Sequence, residues 1–305
     1  MDKQILQYTF RTAEDMLNLC HKYKFSIGEI AKRYEAQRSK KTIPVIRNKM
    51  KQVRNVMYEA IKKGIVSTQK SKMGISGGDA HKMYRALQHM TNMMGNKVTV
   101  RAITYALAVA EQNACMGRIA AFPTAGGAGV IPGTLFSCAK HFKAGKRKLL
   151  NGLFCASAVG LIIAENFTLS AAKGGCQAEI GAGVAMAAAG LTEMRSGMPE
   201  QCFNAAAMAL KSYLGLACDP LGGLVEVPCI KRNALGCMVA IGASDMAMAG
   251  IKSFVPFDEV VQAMRNIAKI MSPKIRETAL GGLAVTKTGN MVKQKLGMKI
   301  TPMEL

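Results

Sequence analysis

Three cysteines lie in glycine- and proline-rich segments, where a side chain can do chemistry without disturbing a helix. Cys176 follows two glycines in KGGCQAE, and Cys218 and Cys229 enclose the segment CDPLGGLVEVPC. We predict irregular backbone around all three, so that the thiols can turn toward one centre. Structural zinc usually takes four ligands in closely spaced pairs, which this pattern lacks. Three thiolates suit an iron-sulfur cluster with one iron free of protein ligands, and three ordinary thiols are the alternative.

An iron without a protein ligand would act as a Lewis acid. It would bind a hydroxyl or carboxylate oxygen and stabilise the negative charge that develops as a hydroxyl group departs. The other six cysteines give a weaker signal. Cys20 lies near a charged helix end. Five lie in helical, Ala- and Met-rich patterns that are typical of a protein core: Cys115, Cys138, Cys155, Cys202 and Cys237.

A glycine-rich loop, PTAGGAG at residues 123–129, could bind a carboxylate. Consecutive backbone N–H groups in such a turn form a nest for an anion. We expect four residues to take part through their amides or a hydroxyl: Thr124, Gly126, Gly127 and Gly129. The alternative is a tight turn between two helices.

A second candidate binding loop is SGGD, which comprises Ser76, Gly77, Gly78 and Asp79. The carboxylate of Asp79 is suited to an ammonium group. The alternative is an aspartate near a helix start that satisfies free backbone amides.

Polar residues follow two of the three cysteines directly along the chain. Gln177 and Glu179 come just after Cys176 and could orient a metal ligand. Arg232 and Asn233 follow the third cysteine closely, and Arg232 could offset the negative charge of a thiolate cluster. The alternative for Arg232 and Asn233 is a solvated surface.

The elements that must position these loops are predicted to be helices. Half of the residues are hydrophobic but only 6% are aromatic, and the chain has 22 Met and no Trp. Such a composition suits closely packed helices, and no segment alternates convincingly as a strand would. The fold class predicted is therefore all-α, with the glycine- and cysteine-rich loops gathered at one site. Beyond residue 75, we predict helices over 80–94, 100–118, 133–142, 147–164, 178–195, 199–214, 235–251 and 257–271.

Positive charge is concentrated at the amino-terminal end. The net charge is +22, and residues 1–75 contain 17 Lys and Arg against 6 Asp and Glu. We predict a basic helical segment over residues 1–75 that packs on a helical catalytic domain over residues 76–305. No aromatic residues interleave with the charge, so a solvated face or a docking surface for an acidic partner is favoured over nucleic-acid binding.

Membrane and secretory segments are not expected. The most apolar stretch, residues 149–164, is shorter than the roughly 20 residues that a spanning helix needs, and we interpret it as a buried helix. The polar start MDKQILQYTF does not resemble a signal peptide. An odd number of cysteines, nine, without C-x-x-C pairs indicates a reducing compartment, with the cytoplasm as the default.

Four loop motifs in this order, SGGDA, PTAGGAGVIPGT, GGCQAEIG and CDPLGGLVEVPCIKRNA, resemble the α chain of the bacterial iron-sulfur L-serine dehydratases. The resemblance extends from about residue 17 to residue 296. It implies a 4Fe-4S cluster held by Cys176, Cys218 and Cys229, and conversion of L-serine to pyruvate and ammonia. It further implies that the serine hydroxyl binds the open iron, that a base removes the α-proton, and that pyridoxal phosphate is not required.

The complete enzyme of that family also has a β portion with the motif S-S-H-T, which these 305 residues lack. The resemblance therefore implies a separate β subunit in an αβ heterodimer or a higher assembly. Two alternatives stay open. One is a dehydratase of L-threonine or another β-hydroxy amino acid, because one methyl group is worth only ~1–3 kcal/mol of discrimination. The other is a basic helical binding module for nucleic acid or protein, with incidental cysteines.

Overall fold

The computed structural model describes residues 7–90 and 92–299. Over these ranges the chain is helical and contains no sheet, and extended backbone pairs only at the isolated bridge between Cys218 and Arg276. The all-α prediction is confirmed. The α-helices are α1 (Ala13–Tyr23), α2 (Ile27–Arg38), α3 (Ile43–Gly64), α4 (Asp79–His89), α5 (Lys97–Ala114), α6 (Val130–His141), α7 (Lys146–Asn166), α8 (Ala171–Gly174), α9 (Ala182–Met194), α10 (Pro199–Lys211), α11 (Cys229–Met248), α12 (Phe257–Ile270) and α13 (Lys287–Lys295).

Helix α9 forms the centre of the fold, and all of its residues are buried. Its alanine-rich sequence allows α6, α7, α10 and α11 to pack around it. The crossing of α7 and α9 depends on two glycines. A Cβ atom added to Gly152 would lie 2.6 Å from the carbonyl oxygen of Gly190, and the reverse substitution gives the same distance. Close backbone approach therefore sets the packing of the central helices.

Helix α7 contains the apolar stretch at residues 149–164. It is the one helix in the described ranges that is long and apolar enough to cross a membrane. However, 67% of the most apolar part of this helix is buried inside the fold. Packing against α9, α2 and α3 accounts for this composition.

The amino-terminal helices pack directly on the rest of the chain. Helix α2 lies against α7, and α3 lies against α5. Met16, Ile27 and Met57 are fully or almost fully buried and belong to the same hydrophobic cluster as the residues of α9. The boundary at residue 75 stays a prediction.

Several elements differ from the sequence prediction, including the short helix α8, which was not predicted, and α4, which ends at His89 rather than at residue 94. Helices α2 and α13 were not predicted, because their sequences, IGEIAKRYEAQR and KTGNMVKQK, are too polar to show a clear apolar face. Helix α11 begins at Cys229, six residues before its predicted start. Pro228, which was interpreted as part of a loop, precedes the first helical residue, where proline is compatible with a helix.

Candidate metal centre

The three loop cysteines converge in the interior of the protein. Cys176 lies between α8 and a π-helical turn at Gln177–Gly181, Cys218 lies on extended backbone, and Cys229 is the first residue of α11. Their exposures are 0%, 2% and 2%. The thiols of Cys176 and Cys218 lie close enough to shift each other's pKa, and burial and the charge of Cys176 both raise the pKa of Cys229. Segments that are 42 and 11 residues apart in the chain thus bring their sulfurs together.

Electrostatics make the three thiols unequal. The interaction with the Cys218 thiol lowers the pKa of Cys176, and the guanidinium of Arg232 acts in the same direction. The same interaction, together with burial, raises the pKa of Cys218. Burial raises the pKa of Cys229 to about 12. In the absence of metal, Cys176 is therefore the thiol that ionises most readily.

Arg232 is fixed beside the sulfurs by its own hydrogen bonds. Its guanidinium donates to the carbonyl oxygen of Ala217 at 2.8 Å and to the carboxylate of Asp219 at 3.2 Å. Asp219 is buried and also accepts from the backbone N–H of Leu283 at 2.9 Å. A positive charge is thus fixed where thiolates would bring negative charge.

The glycine before Cys176 is required by the local backbone. Gly175 has a φ of 72°, in the left-handed region, and a Cβ atom there would lie 2.7 Å from the sulfur of Met271 and 2.9 Å from the carbonyl oxygen of Leu216. Only glycine meets both conditions without strain. A π-helical turn follows at once, a feature that is frequent at functional sites.

Gln177 ties the first cysteine segment to its neighbours. Its side chain donates to the carbonyl oxygen of Met264 in α12 at 3.1 Å and accepts from the N–H of Gly215 at 2.9 Å. The Gln177 N–H also donates to the carbonyl oxygen of Leu216 at 3.3 Å. Gln177 is fully buried, so these bonds hold the segment before Cys218 against the segment after Cys176.

Asn233 connects the third cysteine to the glycine loop. Its side-chain amide donates to the carbonyl oxygens of Gly126, at 2.6 Å, and Cys229, at 2.9 Å. Its oxygen accepts from the N–H of Gly129 at 2.9 Å. The N–H of Gly127 donates to Thr124 Oγ1 at 3.2 Å. Two of the amides expected to form an anion nest, those of Gly127 and Gly129, therefore already have acceptors within the protein.

Glu179 lies under the same loop. The hydroxyl of Thr124 donates to its carboxylate at 2.7 Å, and a Cβ atom on Gly126 would lie 2.6 Å from that carboxylate. Burial raises the pKa of Glu179, and the nearby charge of Glu277 acts in the same direction. The loop and the first cysteine segment therefore share a buried carboxyl group close to the thiols.

The SGGD loop lies against the third cysteine segment through different contacts. The Ser76 hydroxyl donates to the carboxylate of Glu226, three residues before Cys229. Lys231 and Lys82 donate to the carboxylate of Asp79, at 2.6 and 3.1 Å.

Glu111 is the group that caps helix α4. Its carboxylate accepts the N–H groups of Gly78 at 3.1 Å, Asp79 at 2.8 Å and Ala80 at 3.2 Å. The sequence alternative, in which Asp79 satisfies free amides at the helix start, is replaced by this long-range cap.

The structure corrects one local expectation and adds three residues. Cys229, Arg232 and Asn233 belong to the first turns of α11, because the helix starts directly after Pro228. Sequence reasoning did not single out Glu111, Glu226 or Glu277. Glu226 lies within the CDPLGGLVEVPC segment, so its position in the sequence could have identified it. Nothing in the local sequence distinguishes Glu111 or Glu277.

The donor set fits a cluster better than a single ion. The three sulfurs do not all lie within 4.8 Å of one another. The ligands of one ion must all reach the same atom, whereas each thiolate of an iron-sulfur cluster binds an iron of its own. The cation of Arg232 would offset part of the added negative charge.

One protein family, described as "Serine dehydratase alpha chain", matches residues 22–284 of this sequence. The chain belongs to the serine dehydratase alpha chain family. The resemblance predicted from the four loop motifs is confirmed. The match includes all three cysteines and both glycine loops, so the residues described above lie within the part that the family shares.

Similar proteins are named as L-serine dehydratases or as their alpha chains. The "Probable L-serine dehydratase, alpha chain" of Bacillus subtilis (strain 168) is 42% identical over 287 residues, which is 94% of this chain and 95% of the relative. The "L-serine dehydratase, alpha chain" of Peptoniphilus asaccharolyticus is 36% identical, over 93% of this chain and 97% of the relative. The "L-serine dehydratase" of Streptomyces coelicolor is 36% identical, and the match spans 63% of that protein.

Proposed function

We propose that this chain is the α subunit of a 4Fe-4S-dependent L-serine dehydratase, which converts L-serine to pyruvate and ammonia. The observation that carries the proposal is the convergence of Cys176, Cys218 and Cys229 in a member of the serine dehydratase alpha chain family. The three thiolates would hold the cluster. Pyridoxal phosphate is not part of the proposal.

When bound, the cluster would supply a Lewis acid that takes up negative charge as the β-hydroxyl group leaves. The surrounding residues have supporting roles. Arg232 places a cation next to Cys176, and Gln177 and Asn233 fix the two cysteine segments through buried hydrogen bonds. Burial raises the pKa of Glu179, so its carboxyl group can hold a proton at a pH where an exposed one could not.

We further propose that the two glycine loops bind L-serine. Both loops contact the cysteine segments, since Asn233 bonds to Gly126 and Ser76 bonds to Glu226. Asp79 is already paired with Lys231 and Lys82, so binding of the substrate ammonium would have to exchange one of these partners. In the other loop the N–H of Gly126 is the better candidate for the carboxylate, because the Thr124 hydroxyl and the amides of Gly127 and Gly129 already have partners.

A separate β subunit is part of the same proposal. The Bacillus subtilis and Peptoniphilus asaccharolyticus relatives are named as alpha chains, and this chain covers almost their whole lengths. The match spans only 63% of the Streptomyces coelicolor relative, which is named without a chain designation. We propose that the remaining portion of such longer relatives corresponds to the β subunit, in an assembly located in the cytoplasm.

The test is an anaerobic assay of pyruvate formation from L-serine without added pyridoxal phosphate. The chain alone should be inactive or nearly so, and addition of the β chain from the same organism should restore turnover. L-Threonine, tested in parallel, separates the two substrate assignments. Full activity of the α chain alone would contradict the two-subunit proposal, and no activity with any hydroxy amino acid in the complete assembly would contradict the dehydratase assignment.

A further inference from the structure

A second group of metal-binding side chains lies in the core, on helices α7, α9 and α10. The sulfurs of Cys155 and Cys202 and a carboxylate oxygen of Glu193 all lie within 4.8 Å of one another. Both cysteines have 0% exposure and Glu193 has 8%. None of the three belongs to the cysteine segments of the proposed cluster.

Separations below 4.8 Å are compatible with one tetrahedral ion after small side-chain movements. With bonds of ~2.3 Å to sulfur and ~2.0–2.2 Å to oxygen, neighbouring ligand atoms of a zinc site lie ~3.3–3.8 Å apart. Small side-chain shifts would close the gap from the observed separation. Thiolate and carboxylate together form a donor set that Zn²⁺ accepts.

An unsatisfied atom gives independent support for a bound cation. The Oε2 atom of Glu193 is buried and has no hydrogen-bond partner among the described residues. The other oxygen, Oε1, accepts from the N–H of Gly28 at the start of α2, at 3.3 Å. Burial raises the pKa of this carboxyl group to about 7, while looser contacts with the Ser26 hydroxyl and the Ile27 N–H act to lower it. A buried carboxylate oxygen without a donor is costly, and a cation would remove that cost.

We propose that Cys155, Glu193 and Cys202 bind one Zn²⁺ ion at a structural site separate from the iron-sulfur centre. Cys20 of α1 is a candidate fourth ligand, because it is buried and its pKa is raised by burial and by the charges of Glu193 and Cys202, although its sulfur does not lie within 4.8 Å of all three. Binding would release the thiol protons as the cysteines become thiolates. Two thiolates, one carboxylate and Zn²⁺ leave a net charge of about −1, and a third thiolate from Cys20 would make it about −2.

A bound ion would link the amino-terminal helices α1 and α2 to the central helices of the fold. Glu193 already holds the start of α2 through Gly28, and Cys20 belongs to α1. The other ligands belong to α7 and α10. An ion at this point would fasten residues 13–38 to the central helices.

Zinc and iron can be measured separately in the full chain, so the test does not depend on the proposed cluster. We would purify the chain anaerobically from zinc-supplemented cells, remove loose metal with a chelator, and determine both metals by mass spectrometry. X-ray absorption at the zinc edge would identify the ligands. We expect about one zinc per chain, with sulfur at ~2.3 Å and oxygen at ~2.0 Å.

Variants assign the zinc to this site. Cys155→Ser combined with Cys202→Ser should remove zinc and leave the iron, and Glu193→Gln should remove the oxygen ligand with little change in volume. Cys138→Ser, a matched buried cysteine on α6, should keep both metals. A Cys218→Ala variant should lose iron and keep zinc.

Three results would overturn the proposal. These are a wild-type chain without zinc, zinc with only oxygen or nitrogen ligands, and zinc that disappears with Cys218→Ala but not with the Cys155 and Cys202 variant. The absence of zinc and the wrong zinc ligands are both measured on the wild-type chain. These two results therefore test the proposal even if the variants fail to fold.

Discussion

Arg232 and Cys176 are the residue pair that best distinguishes a metal centre from a group of core thiols. The guanidinium of Arg232 is largely buried and carries a desolvation cost, and it lies beside the thiol of Cys176 and the carboxylate of Asp219. Without thiolate charge nearby, only Asp219 would offset that cost. The arrangement is therefore understandable if the sulfurs are ionised and bound to metal.

Arg232→Met should weaken retention of the cluster. The substitution keeps a long side chain but removes the cation and both hydrogen bonds. Loss of such an outer partner typically costs about 10–100-fold in metal affinity. Iron loss to a chelator, followed by visible absorbance under anaerobic conditions, measures the effect.

Arg195→Met is the matched control for this variant. Arg195 is also largely buried, but it pairs with Asp245, away from the cysteines. Its variant should lose iron at the wild-type rate. Equal rates for Arg232→Met and wild type would show that the guanidinium does not support the centre.

Loop composition draws attention to the three cysteines and the two glycine loops, and the resemblance to a known family supplies the roles expected of them. Local patterns do not identify Glu111, which binds amides 31–33 residues away in the sequence. They do not identify Glu277 either, which acts on Glu179 and Cys218 from about 60–100 residues away. Nor could they show that Asp79 pairs with Lys231 across 152 residues. Long-range side-chain pairing is set by packing, which no local pattern reports.

At the scale of single elements, Glu111 controls the start of helix α4. Burial is the main reason that its pKa is raised above 4.5. The folded protein therefore holds this proton more tightly than the unfolded chain. The stabilisation from Glu111 is fully present below pH 4.5 and is lost as the pH rises through the folded-state pKa.

Glu111→Gln should change both the stability and its pH dependence. The amide offers one acceptor oxygen in place of two, so a buried backbone N–H loses its partner at a cost of about 1–3 kcal/mol. Between pH 5 and pH 8 the wild type should lose more free energy of unfolding than the variant, because only the wild type releases this proton. Urea unfolding at both pH values measures this, with exposed Glu59→Gln as a control that should follow the wild type.

The crossing of α7 and α9 gives a second prediction for the elements. Gly190→Ala should destabilise the protein by about 1–3 kcal/mol, because its Cβ atom would press on the carbonyl oxygen of Gly152. Gly242→Ala is the matched control in helix α11, where nothing lies within 4 Å of the added atom. That change should stabilise the helix by about 0.5–1 kcal/mol. Equal effects of the two substitutions would contradict the close-packing account.

Element prediction succeeded where a helix has a clear composition and failed where tertiary contacts define it. The observed helix Phe257–Ile270 agrees with the predicted span 257–271 to within one residue, because its sequence shows a regular apolar face. Helix α2 is polar in sequence, and its first turn is held by Glu193 from a distant helix. The start of α11 was missed because proline and glycine before Cys229 were interpreted as a continuous loop.

For the whole molecule, the fold explains why the centre lies between helices rather than in an open cleft. Helices α8, α9, α11 and α12 bring separate segments to the cysteines, and all three sulfurs are buried. The +22 charge is weighted toward the first 75 residues, and the helices within residues 7–75 pack on the same core. A β subunit with complementary acidic charge would suit that face.

The central claim is that three distant cysteines hold one iron-sulfur cluster. The most direct measurement is iron and sulfide content, with visible absorbance, of the anaerobically purified chain and of Cys176→Ala, Cys218→Ala, Cys229→Ala and the control Cys138→Ala. We expect about four irons and four sulfides per chain in wild type and control, and loss of both in each of the three variants. A colourless, folded wild-type chain, or a cluster that survives removal of any one of the three thiols unchanged, would contradict it.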